Sequence, residues 1–247
     1  MKRTLSFVLL FLTLFGGSVS AFEGDYELGV FQLNRGEFKA AIAEFEPLIE
    51  QQYAPAQYQM GLIYLNGWGV LKDEAKALEY IKQAADQNYA EALFNLSTIY
   101  TEGELVNQDL KKAFTLMKKA ADRDLPSAQF NLGVMYANGQ GITKDARKAA
   151  HWYELAAKQN FPLAQFNLAL MYYEGVGVKQ SHEKSYLWNI IAAKSGYKQA
   201  ITSRDMDERN LSIKQIEEVR EKAEKLYSQI LEQVDLRTKE LTQKSLL

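Results

Sequence analysis

The sequence has no cysteine, and only four prolines and two histidines among its 247 residues. Without cysteine there are no disulfides, no thiolate metal ligands and no thiol nucleophile, so packing alone must hold the fold together. So few prolines leave little room for Pro-rich linkers. A dominant charge is also missing. Lys and Arg number 29 against 31 Asp and Glu, with no basic patch, so nothing draws the chain to nucleic acid or an anionic lipid surface. No apolar run reaches the roughly 20 residues that span a bilayer. With 47% hydrophobic and 24% charged residues, the composition is that of a soluble globular protein of one or two domains.

The one marked apolar run opens the chain. Lys2 and Arg3 precede an apolar stretch from Leu5 to Phe15, broken only by Ser6 and Thr13, and Val19-Ser20-Ala21 supplies small residues for cleavage. Residues 1–21 therefore read as a secretory signal peptide. Its removal leaves 27 Lys and Arg against 31 acidic residues, a net charge of −4. The expectation is a periplasmic or secreted monomer with no stable membrane insertion after cleavage.

What the rest of the chain does have is a repeat. AQFNLGVMYANGQG at 128–141 returns at 164–177 as AQFNLALMYYEGVG. Written in rows of 36, Ala56, Ala92, Ala128, Ala164 and Ala200 share a column, and Tyr64, Tyr100, Tyr136 and Tyr172 share another. Gly67, Gly103, Gly139 and Gly175 follow, then Gly69, Leu105, Gly141 and Gly177. Further on come Ala77, Ala113, Ala149 and Ser185, and the pairs Ala84-Ala85, Ala120-Ala121, Ala156-Ala157 and Ala192-Ala193. An unbroken period of this size indicates a solenoid of stacked supersecondary units.

Each row reads as two helices. Small or apolar residues at +0, +4, +7 and +8 from the column alanine cluster on one face of the first. After the G-x-G break, Asp73, Asp109, Asp145 and Ser181 stand where N-caps belong, because their oxygens can accept the free N–H groups of a first turn. The second helix should stop at Asn88, Asp124, Asn160 and Gly196, residue types that tolerate a left-handed backbone. Tyr89, Leu125, Phe161 and Tyr197 follow, in place for the hydrophobic contact after a C-cap.

These residues resemble the Sel1-like repeat, a relative of the tetratricopeptide repeat. The third row matches nearly every element of the pattern, from Ala128-Gln-Phe-Asn-Leu-Gly133 through Gly139-Gln-Gly141-Ile142 and Asp145-Ala-Arg-Lys148-Ala149 to Trp152 and Ala156-Ala157. The second row departs at Ser97 and Leu105, which suggests a tilted loop, and the fourth at Ala169, Ser181 and Ser185. The resemblance implies an all-α, right-handed α-solenoid of helix hairpins. It divides the chain into a tetratricopeptide-like first repeat at 22–54, Sel1-like repeats at 55–90, 91–126, 127–162 and 163–198, and a C-terminal helical cap at 199–247. In the cap, Leu211-Ser212-Ile-Lys-Gln215-Ile216 combines a capping box with a hydrophobic staple. It opens a helix with Ile216, Val219, Ala223, Leu226 and Ile230 on one stripe, which closes the core and is also a candidate partner-binding helix. Arg204, Asp205 and Glu208 in apolar columns fit a terminal unit with a solvated face.

Motifs for chemistry are weak. Ser181-His-Glu-Lys184 and Ser195-Gly-Tyr-Lys198 match Ser-x-x-Lys, but the first falls on the capping and lysine columns, the second straddles a helix end, and neither KTG nor SDN occurs. His151 and His182 have no HExxH spacing, and the G-x-G loops lack the strand and third glycine of a dinucleotide site. Asn95-Leu-Ser97 and Asn210-Leu-Ser212 fit the glycosylation sequon, but Asn95 belongs to a column with Asn131 and Asn167 that more simply makes local backbone hydrogen bonds. No catalytic, cofactor or metal residues are assigned, and no enzyme activity is expected.

What remains is a surface. By resemblance, first helices line the concave side of such solenoids, and positions +2, +6 and +10 would face that groove. They carry Tyr58, Phe94, Phe130 and Phe166, then Leu62, Thr98, Val134 and Leu170, then Asn66, Glu102, Asn138 and Glu174. An apolar and aromatic floor with polar edges suits a peptide or a partner helix. The same aromatics could instead pack between adjacent first helices. The resemblance implies a periplasmic protein-interaction adaptor in envelope signalling or assembly, or alternatively a protein that binds or hydrolyses cell-wall fragments or β-lactams.

Overall fold

In the computed structural model, which describes residues 24–245 with side chains through residue 240, each 36-residue unit becomes a helix hairpin. The expected signal peptide, 1–21, lies outside the described residues. The hairpin with the shorter loop comes first: α1, Tyr26–Asn34, and α2, Phe38–Glu50. Four matching hairpins follow: α3, Ala54–Asn66, with α4, Glu74–Asp86; α5, Ala90–Glu102, with α6, Leu110–Ala121; α7, Pro126–Asn138, with α8, Ala146–Lys158; and α9, Pro162–Glu174, with α10, His182–Lys194. Two helices close the chain, α11, Gln199–Glu208, and α12, Ile213–Ser245. The twelve helices and the lack of any strand among the described residues make the fold an all-α solenoid.

The helix ends lie where the column residues require. Asp73, Asp109, Asp145 and Ser181 each accept a first-turn N–H with the side chain, and each donates its own N–H to the carbonyl of Tyr64, Tyr100, Tyr136 or Tyr172 at 2.9–3.0 Å. Asn88, Asp124, Asn160 and Gly196 all have positive φ. Within each hairpin the column lysine lies over the column tyrosine ring, 4.1 Å for Lys76 and 4.3 Å for Lys112, where a cation–π attraction adds to the packing. The seam is closed by small residues. Ala77, Ala113 and Ala149 are fully buried, and a Cβ added to Gly61 or Gly133 would stand 2.7 Å from Ile81 or 2.6 Å from the Tyr153 ring.

The second repeat explains its own departures. Ser97, in the glycine column, is fully buried and donates its hydroxyl to the carbonyl of Ala113 across the seam, 2.7 Å away, so the extra atoms gain a hydrogen bond. Leu105 does not adopt the positive φ of Gly69, Gly141 and Gly177 and is half-buried against the core instead.

The last helix reaches back along the solenoid from its C-terminal end. Ser212 and Gln215 exchange side chain to backbone bonds as a capping box, and Val219, Ala223 and Ile230 are buried. From there α12 runs alongside α10, with Gln215 donating to Glu183, Arg220 to the Tyr186 hydroxyl, and Lys194 paired with Glu224. Farther on, Arg237 donates to the backbone carbonyl of Asp124 at 2.9 Å and to the Gln159 side chain. The helix thus ties the closing turns of the second and third Sel1-like units to the C-terminal one.

Candidate functional site

Because +2, +6 and +10 lie about one turn apart, they follow a single line on each first helix. The structure places the sequence-derived residues along four such lines. At +2, Tyr58, Phe94, Phe130 and Phe166 are all half-buried. Phe130 meets Phe161 at 5.3 Å between ring centres, Tyr58 meets Tyr89 at 5.5 Å, and Phe166 meets Tyr197 at 4.9 Å. Three of the four rings therefore rest on the residue that leads into the next first helix, so the inter-repeat packing foreseen as an alternative is present. Phe130 also meets Tyr153 at 5.6 Å, and all four side chains keep part of their surface exposed. Burial pushes the Tyr58 phenol up to about 12, and its oxygen accepts from Asn95 of the following repeat at 2.6 Å.

At +6, Leu62, Thr98 and Val134 are half-buried and Leu170 is exposed; at +10, Asn66, Glu102, Asn138 and Glu174 are all exposed. The line thus grades from aromatic to polar. The asparagine column behaves unevenly. Asn131 donates to its own helix's Ser127 carbonyl, as expected of local bonding, whereas Asn95 bridges to Tyr58 and Asn167 bonds Tyr153.

At the C-terminal end the stripe runs into a cavity of about 120 Å³ lined by Phe166, Leu170 and Tyr173 from α9, Ser185 and Asn189 from α10, and Ser203, Met206 and Asp207 from α11. Its floor is polar. Asp207 is fully buried and Asn189 nearly so; one Asp207 oxygen, Oδ2, accepts from Ser185 Oγ at 2.9 Å and from Asn189 Nδ2 at 2.8 Å. Sequence reasoning flagged Arg204, Asp205 and Glu208 as a solvated end but passed over Asp207. The signal was there: Asp207 stands in the column of Ile63, Ile99, Met135 and Met171, and Asn189 in that of Ile81, Met117 and Tyr153. Burial raises the Asp207 carboxyl above the usual carboxylate range, against the lowering effect of its two donors and of the nearby His182. Glu208, one residue on, is held below that range by the Tyr186 hydroxyl and by Arg220, 2.8 Å away.

The residues considered for chemistry are otherwise occupied. Ser181 accepts the Lys184 N–H as a cap, and the Lys184 ammonium lies over the Tyr172 ring at 4.9 Å rather than beside the hydroxyl. Ser195 donates to Asn160. His151 is exposed beside Trp152, and His182 meets the Tyr173 ring edge-on at 5.3 Å. Among the described residues no three His, Asp or Glu side chains gather as a metal site, and no helix is long and apolar enough to cross a membrane.

With this geometry in view, the comparisons agree. The Sel1 repeat model matches residues 54–89, 90–125, 126–161 and 162–197, more than half of the chain, so the chain belongs to the Sel1 repeat family. Among solved structures it is similar to a protective antigen of uropathogenic Escherichia coli strains displaying an SLR fold, at 28% identity and a TM-score of 0.73 over 87% of this chain. It spans 47% of the length of that antigen. It is also similar to a Sel1 repeat protein from Oxalobacter formigenes, at 31% identity and a TM-score of 0.66, covering 71% of this chain and 72% of the other. Curated proteins give no significant match.

Proposed function

We propose that the chain is an exported, non-enzymatic adaptor that binds a peptide or partner helix along the concave face of its first helices, in the bacterial periplasm or outside the cell, in envelope signalling or assembly. Sel1 repeats typically serve as protein-interaction scaffolds, which sets the class. The observation that carries the reading is the graded stripe itself. Four partly exposed aromatics, a row of partly exposed Leu, Thr, Val and Leu, and a row of exposed Asn and Glu continue in register across four repeats. Such a line offers apolar anchors with a polar rim, the division found at protein interfaces. Export rests on the basic start, apolar run and small residues of 1–21.

Site-directed photocrosslinking tests the interaction. A photoreactive residue at Asn138 should yield a discrete adduct in the native host, while the same residue at Leu71, 91% exposed on a loop, should not. The adduct should be lost in a Phe94→Ala, Phe130→Ala variant that keeps its helical circular dichroism. Equal adducts from both positions, or an adduct indifferent to the double variant, would overturn the groove. Fractionation of the host, with the cleaved chain found in the periplasm or medium, tests export.

A further inference from the structure

Three core columns turn polar together at one place among the described residues. Ser185 replaces the seam alanine, Asn189 a large apolar residue and Asp207 an isoleucine or methionine, and the structure brings the three together on the floor of the 120 Å³ cavity. A network needed only to finish the last repeat would use all its hydrogen-bonding capacity, because an unpaired buried polar atom is costly. This one does not. Asp207 Oδ1 and Asn189 Oδ1 are buried and have no partner. The Asn189 amide cannot simply be turned over, since its Nδ2 donates to Asp207 Oδ2 at 2.8 Å. Among the described residues Asp207 forms no ion pair.

The free groups are both acceptors, and one belongs to a carboxylate. A matching ligand brings donors and positive charge and no lone pairs to repel them. That excludes carboxylates and phosphates, and the carboxylate favours a cation over a neutral hydroxyl donor. Between the two common cations, the floor discriminates. A guanidinium gains its strength by bridging both oxygens of one carboxylate, but Oδ2 is already taken by Ser185 and Asn189. An ammonium is compact and has three donors that can turn toward Asp207 Oδ1 and Asn189 Oδ1 separately. The walls suit the stem behind it. Leu170 and Met206 are exposed at the mouth, and the Phe166 and Tyr173 rings supply apolar surface and π-faces.

We propose that this cavity is a lysine pocket: it takes the side-chain ammonium of a lysine on the polypeptide seated in the groove, with Asp207 Oδ1 and Asn189 Oδ1 as its acceptors. The proposal rests on the groove reading, whose stripe it terminates through Phe166 and Leu170. It adds a requirement on the partner, a lysine where the bound segment meets the fourth repeat and α11.

The test uses small probes, so it does not depend on knowing the partner. The full chain, 15N-labelled, is titrated with Nα-acetyl-lysine amide and, separately, with the norleucine and arginine amides. The lysine probe should give saturable shifts of the Asn189 side-chain amide and of α11 backbone amides, with binding at least about tenfold weaker for norleucine and arginine. Asp207→Asn should abolish the lysine response. Ser185→Ala, Asn189→Met, Asp207→Met, which restores residues that other repeats carry in these columns, should abolish it while keeping the helical circular dichroism. No saturable shift, shifts of equal size from norleucine or arginine, or a response that survives in either variant would overturn the pocket. A failed pocket with the Asn138 adduct intact leaves the groove standing; loss of that adduct with lysine still bound removes the groove and not the pocket.

Discussion

Gly141 lies directly against the backbone carbonyl of Leu110, the residue that opens the second helix of the preceding repeat: a Cβ built on Gly141 would stand 1.9 Å from that oxygen. Gly177 stands in the same relation to Ala146, at 2.2 Å, and Gly69 meets the side chain of Phe38, the first residue of α2, at 2.7 Å. Where a loop carries this second glycine, it is therefore an inter-repeat contact, with one unit's turn resting on the start of the preceding unit's second helix.

Gly141→Ala should accordingly cost more than its left-handed φ of +72° alone, which accounts for roughly 1–2 kcal/mol. Gly139 is the internal control. Its φ is +76°, but the nearest atoms to an added Cβ stand at 3.4 Å. Thermal unfolding followed by circular dichroism should show Gly141→Ala losing clearly more stability than Gly139→Ala. Equal losses would mean that the loops are not stacked as described.

Much of this was legible from spacing alone, because a repeat lets each residue be read four times. Asp73, Asp109, Asp145 and Ser181 could be assigned as caps since three aspartates and a serine at one interval before a helix share the capping oxygen. The inter-repeat role of Gly141 was not legible: a glycine column says that a Cβ is unwelcome, not which carbonyl forbids it. Asp207 was missed for a related reason. It lies in the row where the pattern fades, and its neighbours Asp205 and Arg209 are exposed, so a third charge nearby looked like more of the same surface. Column position was the better guide than local composition, because α11 still packs as a first helix against α10.

Ser181 tests the capping assignment against the Ser-x-x-Lys motif. Its oxygen accepts the Lys184 N–H at 3.2 Å. Ser181→Ala should lower stability by about 1 kcal/mol, the usual cost of losing an N-cap, and Ser181→Asp should restore it. Lys184→Met should leave the cap intact and remove only the contact with the Tyr172 ring. Unfolding midpoints of the three variants decide, and a Ser181→Asp variant no better than alanine would refute the cap.

Asp207 gives a pH dependence with a definite sign. Burial raises its carboxyl in the folded chain, so the folded state holds the proton more tightly than the unfolded one. The resulting penalty is absent below the ordinary carboxylate value of about 3.9, grows as pH rises through the raised value and is complete above it. Asp207→Asn removes that penalty while its amide oxygen can still accept from Ser185 and Asn189. The variant's unfolding midpoint should lie above that of the parent chain at pH 8, with the gap closing as pH falls to 4. Glu208 titrates in the opposite sense but is common to both chains, so it cancels in the difference. A gap that widens toward low pH would show that the Asp207 carboxylate is stabilised in its charged form by a partner.

Arg237 marks how far the last helix acts. Its guanidinium bonds the Asp124 carbonyl and the Gln159 side chain, and Gln159 in turn donates to the buried Gln129 oxygen at 2.8 Å. The chain of contacts runs from α12 into the first helix of the third Sel1-like unit, one hairpin away from where α12 is anchored on α10, and through Asp124 to the turn after α6, two hairpins away. If α12 only capped the end of the solenoid, ending the chain after Asn210 would expose the α10 side of the core under Val219 and Ala223 and leave α5 to α8 untouched. If it also straps the turns, the cut should loosen those helices too, and Arg237→Ala should do so on its own with the end still covered. Hydrogen exchange distinguishes the two. In Arg237→Ala, amides around Asp124 and Gln159 should exchange faster while those of α10 keep their protection. Unchanged exchange at both turns would reduce α12 to an end cap. An interior loosened by a single distant arginine would make repeats two to four one cooperative unit rather than a row of independent ones.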